Sequence, residues 1–540
     1  MADPSGKDIA RMFEYAQNDR RQWEHHWQEV ANLVMPSRQF TTKQTKGGQR
    51  RSRIFDDTAT KSNIRLAAAL HSLMVNPAIK WFNLITQDEQ VNRQPEARAW
   101  LKFAGDHMLN IFNSPKSGFS THIHEAFLDL PSFCTAIFMV LDGGDRTRFV
   151  SRPLSECFLV QDEEGVIVQI FRKYTMKVHE LEARSVKSGW ELSDKVREII
   201  SKRDDSPEDM NGEVEIVHYV YERESTHPYR KDGPNKPWAS IYMDLSAKHV
   251  MKISGFNRNP FKTPRWSVAP GETYGRGPGI DALPSIKGLN VMKRTILEAG
   301  EKAVNPPILA PADGIDGAIN TAPRSIIYYK QGVGNIQRDP IKALEVTRPQ
   351  LGEAILELER QNVREMFFLD LMELPESDRM TATEVLERVQ QRLGVMSPII
   401  ARVQAELISP AIEDTFVIEY EAGRIPQAPD SVIEAGMSIE YVSPLALAQR
   451  SSEATNILRL INAAAPLGPQ ALDDVFKSDD AIRELGGYYN VNPSLLRTAE
   501  ETQQIQQDRQ QMMAAQQAAA TAKDAAEAAS TAGLVEQGAA

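Results

Sequence analysis

The chain is organised around the stretch YGRGPGIDALPSIKGLNVMKRTILEAGEKA, which runs from Tyr274 to Ala303. Its first residues hold three glycines and Pro278, a composition that disfavours a helix, because glycine leaves the backbone loose and proline restricts the residue before it. From Asp281, a residue type suited to an N-cap, apolar residues recur at helical spacing until the Asn-Pro-Pro that begins at Asn305. The stretch therefore predicts a tight turn followed by an amphipathic helix of about 20 residues, roughly 30 Å long.

The residues on the N-terminal side of this stretch predict helices first and strands second. Helical periodicity, with Pro or Gly at the ends, predicts helices at residues 7–35, 54–75, 96–112 and 119–130. Apolar and polar residues then alternate in short runs between turn residues, which predicts strands. The expected strands lie at residues 81–84, 133–141, 157–160, 166–171, 214–222, 239–245 and 249–255. A helical pair at residues 177–186 and 191–202 interrupts them, so this region is mixed α+β.

The residues on the C-terminal side predict two more long helices. The first spans residues 349–371, and the second begins with MTATEVLERVQQRL at Met380 and keeps an apolar stripe to about Ala422. Pro398 and Pro410 lie inside the second helix, and each removes a backbone hydrogen bond, so kinks are expected near both. Strands are expected at residues 325–332 and 437–445, and short helices at residues 450–500.

The last forty residues, from Glu501, are dominated by Gln and Ala. Such a tract has a high helix propensity but no large apolar face. Two interpretations stay open: a bundle around a symmetry axis, for which a weak heptad exists, or a tail that frays.

The length, charge and cysteine content of the chain limit the class of protein to which it can belong. The chain has 540 residues, which indicates several domains or one elongated subunit of several parts. Its net charge is −11, from 62 basic and 73 acidic residues, which argues against a protein that grips nucleic acid non-specifically but not against one that nucleic acid slides past. Cys134 and Cys157 are the two cysteines, too few for a disulfide framework. Its apolar runs fall short of the roughly 20 residues of a membrane span, so neither secretion nor membrane insertion is expected.

The sequence offers little catalytic chemistry. The glycine-rich GRGPG lacks the lysine and the Ser/Thr of a phosphate-binding loop, and neither GxSxG nor HExxH occurs. His122-Ile123-His124-Glu125 is the one concentrated group of metal-ligand types, but residues two apart point away from each other on a helix. We therefore predict no catalytic residue, no metal site and no cofactor.

Basic residues cluster in SRQFTTKQTKGGQRRSR, from Ser37 to Arg53. A contact with phosphate or an acidic partner is one interpretation, and a solvated loop is the commoner one. The basic residues of this segment are Arg38, Lys43, Lys46, Arg50, Arg51 and Arg53.

Four segments follow one another in a recognisable order. They are RIFDDTATKSNIRLAAALHSLMVNPAIKWFNL from Arg53, YGRGPGIDALPSIKGLN from Tyr274, NPPILAP with the IIYY strand that follows it, and MTATEVLERVQQRLGVMSPIIARVQAELISPAIEDTF from Met380. In this order they resemble the portal proteins, or head-to-tail connectors, of short-tailed bacteriophages. The resemblance implies an α+β, mainly helical, elongated subunit with wing, stem, clip and crown that assembles into a ring of about twelve copies.

The resemblance also implies how the chain divides. Residues 1–280 would form N-terminal helices and a strand-rich wing, and residues 449–500 the crown. Residues 281–304 and 346–372 would be the two stem helices, with the clip between them at residues 305–345. Residues 373–448 would supply a channel loop, the long kinked helix and the return to the wing, and residues 501–540 the Gln/Ala-rich tail.

The implied function is a non-enzymatic channel at one capsid vertex, through which double-stranded DNA is packaged and ejected. Its partners would be copies of itself, the DNA, the terminase, and capsid, scaffolding and tail adaptor proteins, in a virion part assembled in the host cytoplasm. Gly275, Gly277 and Gly279 are expected to be a hinge from wing to stem. The candidate residues facing the channel or DNA are Lys287, Lys293, Arg294, Lys302, Glu373, Glu376 and Arg379. Salt bridges between subunits are the alternative for the four basic residues of the first stem helix.

Two other functions compete with this one. An ATPase of the packaging apparatus would need the missing phosphate loop, and a two-metal nuclease would need clustered carboxylates at strand ends. A tail adaptor would be much smaller, and a scaffolding protein would lack the long strand-rich middle.

Overall fold

The computed structural model describes residues 3–38, 40, 54–202, 207–224, 233–304, 308–309, 342–343, 350–372 and 394–442, with isolated residues between 457 and 521. The helices are α1 (Gly6–Leu33), α2 (Thr58–Met74), α3 (Glu89–Arg93), α4 (Pro95–Asn113), α5 (Phe119–Phe133), α6 (Val178–Ser188), α7 (Asp194–Ser201), α8 (Pro278–Asp281), α9 (Leu283–Val304), α10 (Gln350–Met366), α11 (Leu369–Met372), α12 (residues 394–403), α13 (Ser409–Glu421) and α14 (Asp430–Ala435). The strands are β1 (Phe82–Thr86), β2 (Ile137–Asp142), β3 (Thr147–Arg152), β4 (Cys157–Gln161), β5 (Ile167–Lys177), β6 (Glu213–Glu222), β7 (Trp238–Asp244), β8 (His249–Phe256), β9 (Phe261–Lys262), β10 (Ile308–Leu309), β11 (Lys342–Ala343) and β12 (Met437–Tyr441).

The largest sheet is an antiparallel meander in the order β4-β5-β6-β7-β8, with α6 and α7 inserted between its second and third strands. A second sheet has the order β3-β2-β9, and β1 pairs with β12 across most of the sequence. The α+β, mainly helical fold class predicted from the sequence is confirmed.

The central strand β6 is buried on both faces, because side chains alternate across a sheet. Val217 and Tyr219 pack in one cluster with Phe13 of α1. Ile216 packs in another cluster with Leu181 of α6. The start of α1 therefore covers one face of the sheet and the inserted helices cover the other.

The main core joins the N-terminal helices to the smaller sheets. Its centre is aromatic: Phe119 of α5 lies within 4.6 Å of Phe112 of α4 and 5.0 Å of Phe149 of β3, measured between ring centroids. Trp81, just before β1, stacks on the same phenylalanine. Each such ring contributes roughly 1.5–3 kcal/mol by leaving water.

Most expected helices and strands are present within a few residues of their predicted bounds. The strand expected at 133–141 begins only at Ile137, because α5 continues past Pro131 to Phe133. There the Ser132 hydroxyl donates to Leu128 O at 3.0 Å, which supports a last turn from which Pro131 has removed one amide donor. The strands β3, β9, β10 and β11 were not expected.

A short helix, α8, precedes the predicted helix, and α9 itself begins at Leu283, two residues after the predicted start. The prediction of Asp281 as its N-cap is wrong, because Asp281 is the last residue of α8 and its N–H donates to Gly277 O at 2.9 Å. Pro278 begins α8, since a proline in the first position of a helix loses no hydrogen bond and has a suitable φ.

The long helix near the C-terminal side changes its hydrogen bonding before Pro410, and the kinks expected near Pro398 and Pro410 stay a prediction. Residues Gln404–Ile408 form a wide π-helical turn between α12 and α13. Pro410 has no N–H to give to Glu406 O, and the wide turn accommodates that loss. Around Pro398 the helix is continuous in the described residues, which begin at 394. The strand expected at 325–332, the helices at 450–500 and the Gln/Ala tail lie outside the described residues, apart from isolated positions.

Among the described residues, no helix is both long and apolar enough to cross a membrane.

Candidate functional site

The glycine run packs tightly against the C-terminal end of α5. A Cβ on Gly275 would lie 2.1 Å from Cys134 O, and a Cβ on Gly279 would lie 2.1 Å from Ser132 O. A Cβ on Gly277 would lie 2.5 Å from Cδ1 of Trp266. These distances are far below van der Waals contact, so the backbone approach requires glycine. The hinge role of the three glycines stays a prediction, but here they serve a close packing contact.

Tyr274 anchors the start of the run from the other side. Its ring is buried, 4.9 Å from Trp27 and 5.9 Å from Trp23 of α1, between ring centroids. Its hydroxyl accepts a hydrogen bond from Leu159 N at 3.1 Å, and burial raises its pKa. The base of α9 is thus joined to α1, α5 and β4.

From this anchor, α9 and α10 lie side by side as a helix pair. Ile286 and Leu289 of α9 and Leu356 and Val363 of α10 are buried in the main core. The strands β10 and β11, which follow α9 and precede α10, pair antiparallel. The two helices therefore run in opposite directions, with the segment between them leaving and returning at the same end.

The residues before α2 brace the middle of the helix pair. Phe55 N donates to Oδ1 of Asn290 at 2.7 Å, and Nη2 of Arg360 donates to Oδ2 of Asp56 at 2.7 Å. Asp56 also accepts from Thr58 N at 3.0 Å. Although burial raises the pKa of Asp56, hydrogen bonds from Thr58 and Arg360 outweigh it and lower the pKa overall. Both helices are therefore fixed to the same two residues.

The helix pair leaves large apolar side chains in solvent. Val291 of α9 is 62% exposed and Leu358 of α10 is 61% exposed. Single exposed apolar residues are normal, but a group of them on one pair of helices indicates a protein interface. The exposed apolar residues of the pair are Val291, Leu297, Ile355, Leu358 and Met366.

A family model described as bacteriophage head to tail connecting protein matches residues 6–496. The chain belongs to this family. It is 26% identical over 532 residues to the probable portal protein of Bordetella phage BPP-1, covering 96% of this chain and 92% of the relative. It is also 26% identical over 559 residues to the portal protein of Salmonella phage epsilon15, covering 98% and 96%. A solved structure, the virion of a native gene transfer agent particle, shares 12% identity with a TM-score of 0.36, covering 85% of this chain and 99% of that one.

Membership confirms the resemblance seen in the sequence. The connector has a phage portal function and is a virion component at the junction of head and tail, where it interacts with head and tail proteins. Portal proteins are structural connectors.

In this connector the basic residues of α9 divide into two groups. Nζ of Lys287 lies 2.8 Å from Oε1 of Glu29, and Nε of Arg294 lies 2.8 Å from Oε1 of Glu298. These two ion pairs lie within the subunit. Lys293 and Lys302 form no ion pair with the residues that the structure describes. The predicted channel residues Glu373, Glu376 and Arg379 lie outside the described residues.

The predicted basic segment is described only at its start. Arg38 donates from Nε and Nη2 to the two carboxylate oxygens of Asp129 on α5, at 3.1 and 3.3 Å. Burial raises the pKa of Asp129 to about 6, against the attraction of Arg38. Lys43, Lys46, Arg50, Arg51 and Arg53 lie outside the described residues.

The long helix carries buried carboxylates that the sequence did not single out. Oε1 of Glu419 accepts from Thr147 N at 3.1 Å and from the Thr147 hydroxyl at 2.7 Å. Arg424 donates to both carboxylate oxygens of Glu419, and Nε2 of His107 lies 3.2 Å from Oε2 of the same carboxylate. Earlier in the same helical segment, the partly buried Glu406 pairs with Arg265 at 2.9 Å, and the buried Asp414 pairs with Lys262 at 2.6 Å. Apart from Arg424, these partners lie 141 to 312 residues away in the sequence, so the spacing of the residues could not predict the contacts.

The histidines of α5 and the two cysteines lie where no metal site or reactive thiol is formed by the described residues. Within the described residues no group of three or more His, Cys, Asp or Glu side chains could hold a metal ion. Nδ1 of His122 lies 3.1 Å from Oε2 of Glu125 on the same helix. Cys134 and Cys157 are buried and free, and burial raises the pKa of both thiols, that of Cys157 to about 12. Neither cysteine is a thiolate near neutral pH.

Proposed function

We propose that this connector works as a closed ring of about twelve copies, around a channel through which double-stranded DNA enters and leaves the head. The observation that carries the proposal is the helix pair, fixed at its base by the glycine contact and exposed along its length. The exposed apolar side chains of α9 and α10, such as Val291 and Leu358, have no covering element among the described residues, and a neighbouring copy is the partner that a ring supplies.

The division of the chain follows from the same proposal. Residues 1–280 form the wing, α9 and α10 the stem, residues 305–345 the clip, and residues 449–500 the crown. The clip lies where the chain leaves and re-enters the helix pair, so it is the end that meets the terminase and then the tail adaptor. Capsid and scaffolding proteins are the partners of the wing, and assembly takes place in the host cytoplasm.

The channel acts on DNA mechanically and has no catalytic activity of its own. The chain's net charge of −11 supports this, because an acidic surface repels phosphate and lets DNA slide without being held. Residues 373–379, with Glu373, Glu376 and Arg379, are the proposed lining of the narrowest part of the channel.

The test is negative-stain electron microscopy and light scattering of the purified full-length protein. We expect closed rings with a central hole and a single mass corresponding to about twelve subunits. A monomer that hydrolyses ATP or cleaves DNA would contradict the proposal and favour an enzyme of the packaging apparatus. A matched variant, Val291→Asp with Leu358→Asp, should keep the fold but shift the protein towards monomers, because it places charge in the proposed contact.

A further inference from the structure

Three arginines lie together where the sheet β3-β2-β9 meets the large sheet. Arg172 of β5 lies opposite His218 of β6, and the ring centroid of His218 is 5.9 Å from that of Phe261 in β9. Arg152 is the last residue of β3, and Arg184 belongs to α6. Burial lowers the pKa of His218 to about 3, and the positive charges of the three arginines contribute to this shift. His218 is therefore neutral, and the three arginines, here called the arginine cluster, are its near neighbours.

The arginine cluster has more positive charge than its carboxylate partner balances. Nε of Arg172 donates to Oε2 of Glu156 at 2.8 Å. Among the residues that the structure describes, neither Arg152 nor Arg184 forms an ion pair. With His218 neutral, three arginines and one glutamate leave a net charge of +2. Like charges held close together are unfavourable unless an anion lies between them.

Arg152 shows most clearly that a partner is missing. Its side chain is only partly exposed, and its Nε is fully buried with no hydrogen-bond partner in the described part of the chain. Burial lowers the pKa of Arg152, and the neighbouring charge of Arg172 lowers it further, against the attraction of Glu156. A buried donor that makes no hydrogen bond costs the fold free energy, and the cost is greater for a charged group. An anion beside Arg152 would supply both the acceptor and the opposite charge.

Aromatic rings hold two of the guanidinium groups in place. Cζ of Arg172 lies 4.3 Å from the ring centroid of Tyr174, and Cζ of Arg184 lies 5.2 Å from that of Trp190. Burial raises the pKa of Tyr174 to about 12, so its hydroxyl stays protonated. Guanidinium groups that are already ordered lose little freedom on binding, and their planar forks of N–H donors match the oxygens of a phosphate group.

We infer that the arginine cluster binds a doubly charged oxyanion, either inorganic phosphate or a phosphate monoester, between β3 and the large sheet. The net charge of +2 selects a dianion, whereas a carboxylate or the phosphodiester of a nucleic acid has a single negative charge per group. The bound anion joins the end of β3 in one sheet to β5 in the other. The site belongs to residues 1–280 and not to the proposed stem or channel, so its existence does not depend on the ring.

The test is calorimetry and thermal unfolding of the full-length protein at pH 8, where phosphate is a dianion. Inorganic phosphate is compared with sulfate, dimethyl phosphate, acetate and chloride at equal ionic strength. The variant Arg152→Gln removes the guanidinium group with the unpaired Nε. The control Arg148→Gln changes the net charge by the same amount on the same strand, at an exposed residue that pairs with Asp145.

We expect phosphate and sulfate to raise the Tm of the wild type and of the control above its value in chloride, because a ligand that binds only the folded state stabilises it. Arg152→Gln should weaken phosphate binding at least about tenfold, since it removes a charge-assisted hydrogen bond. Dimethyl phosphate and acetate should bind the wild type at least about tenfold more weakly than phosphate, because each has only one charge.

A direct measurement keeps the inference testable if Arg152→Gln does not fold. Crystals of the wild-type protein soaked in tungstate, a dianion that scatters X-rays anomalously, should show a peak within hydrogen-bonding distance of Nε of Arg152. A site without such a peak, or a wild type whose Tm responds to phosphate no more than to chloride, would overturn the inference. Equal phosphate affinities of Arg152→Gln and Arg148→Gln would overturn it as well. If phosphate has no effect but duplex DNA binds Arg152→Gln more weakly than the control, the cluster binds a phosphodiester and the inferred dianion is wrong.

Discussion

Asp129 on α5 and Glu419 on α13 are both 1% exposed and both face an arginine, yet their pKa values shift in opposite directions. Burial raises the pKa of Asp129 to about 6, and Arg38 only reduces this rise. Burial also acts to raise the pKa of Glu419, but hydrogen bonds from Arg424, Thr147 and His107 outweigh it and bring the pKa to about 2. The two regions therefore differ in the number of donors that surround a buried carboxylate.

The difference shows which contacts hold each region of the subunit in place. At the end of α5, backbone contacts with the glycine run hold the structure, and the Asp129 carboxylate has Arg38, 26% exposed, as its ion-pair partner among the residues that the structure describes. On α13, the carboxylate is the fixing element, since one side chain joins α13 to β3, α4 and the turn after α13. A buried charge whose lone pairs are filled costs the fold much less than one whose lone pairs are not, so the removal of a partner destabilises the fold.

The largest expected effect tests the backbone contact at the end of α5. Gly279→Ala places a Cβ 2.1 Å from Ser132 O, so α5 and α8 must move apart. We expect a loss of about 3 kcal/mol or more in the free energy of unfolding. Urea unfolding followed by tryptophan fluorescence measures it.

Gly300→Ala is the matched control for this change. It lies on α9, where nothing is within 4 Å of an added Cβ, and it should be neutral or stabilise by up to about 1 kcal/mol through helix propensity. Equal effects of the two substitutions would show that the glycine contact does not hold the end of α5.

The next effect tests Glu419 as the fixing element of α13. Glu419→Gln keeps the shape but removes the charge, leaving Arg424 unpaired and Thr147 more weakly bonded. We expect a loss of about 3 kcal/mol in the same unfolding experiment. Glu421→Gln, at an exposed position two residues later, should cost no more than about 0.5 kcal/mol. A cost for Glu419→Gln as small as that of the control would refute this role.

As the pH rises, the two carboxylates should change the free energy of unfolding in opposite directions. The folded pKa of Glu419, about 2, lies below its ordinary 4.5. The contribution of this carboxylate to the free energy of unfolding is therefore complete above about pH 4.5 and is lost as the pH falls towards 2. The folded pKa of Asp129, about 6, lies above its ordinary 3.8, so its contribution is complete below about pH 4 and is lost as the pH rises towards 6.

Asp129→Asn should therefore flatten the fall in stability between pH 4 and 6, where the slope due to one group is at most about 1.4 kcal/mol per pH unit. Glu419→Gln should flatten only the fall below about pH 4.5. Unfolding midpoints across this pH range measure both. An unchanged profile in Asp129→Asn would mean that Asp129 titrates near its ordinary pKa in the folded protein.

The smallest effect concerns Arg38. Arg38→Met removes the donor to Asp129 and should cost about 1 kcal/mol at pH 8, where the carboxylate is ionised. At pH 5 the cost should be smaller, because Asp129 is then mostly protonated in the folded state. The same cost at both values would show that Arg38 acts through its packing and not through its charge.

The elements that could be predicted from the sequence are those with local causes. Apolar periodicity and bounding prolines predicted α1 and α4 closely, and the alternation in residues 214–222 predicted β6. The single helix predicted at residues 349–371 was wrong at its end, because the chain breaks at Phe368, which has a φ of 57°, and separates α10 from α11. Four strands were missed among the described residues, since β9, β10 and β11 have only two residues each and β3 gains its order from pairing with β2.

The contacts that matter for the candidate site could not be predicted, because they join distant residues. The glycines at 275 and 279 indicated a turn, but their need for glycine comes from carbonyls of Cys134 and Ser132, more than 140 residues earlier. Glu419 and Thr147 are likewise 272 residues apart. The charges of α9 were visible in the sequence, and the spacing of Arg294 and Glu298 fits an ion pair on one helix, but the pairing of Lys287 with Glu29 required the structure.

The pairing of β10 with β11 has a consequence for how such connectors change over time. Ile308 lies opposite Ala343 and Leu309 opposite Lys342, so the chain departs from the helix pair and rejoins it at a single point. A segment inserted or exchanged between them alters neither the spacing nor the direction of α9 and α10. The entropic cost of a longer segment grows only slowly with its length. The helix pair can therefore tolerate changes of length and sequence in the chain between β10 and β11.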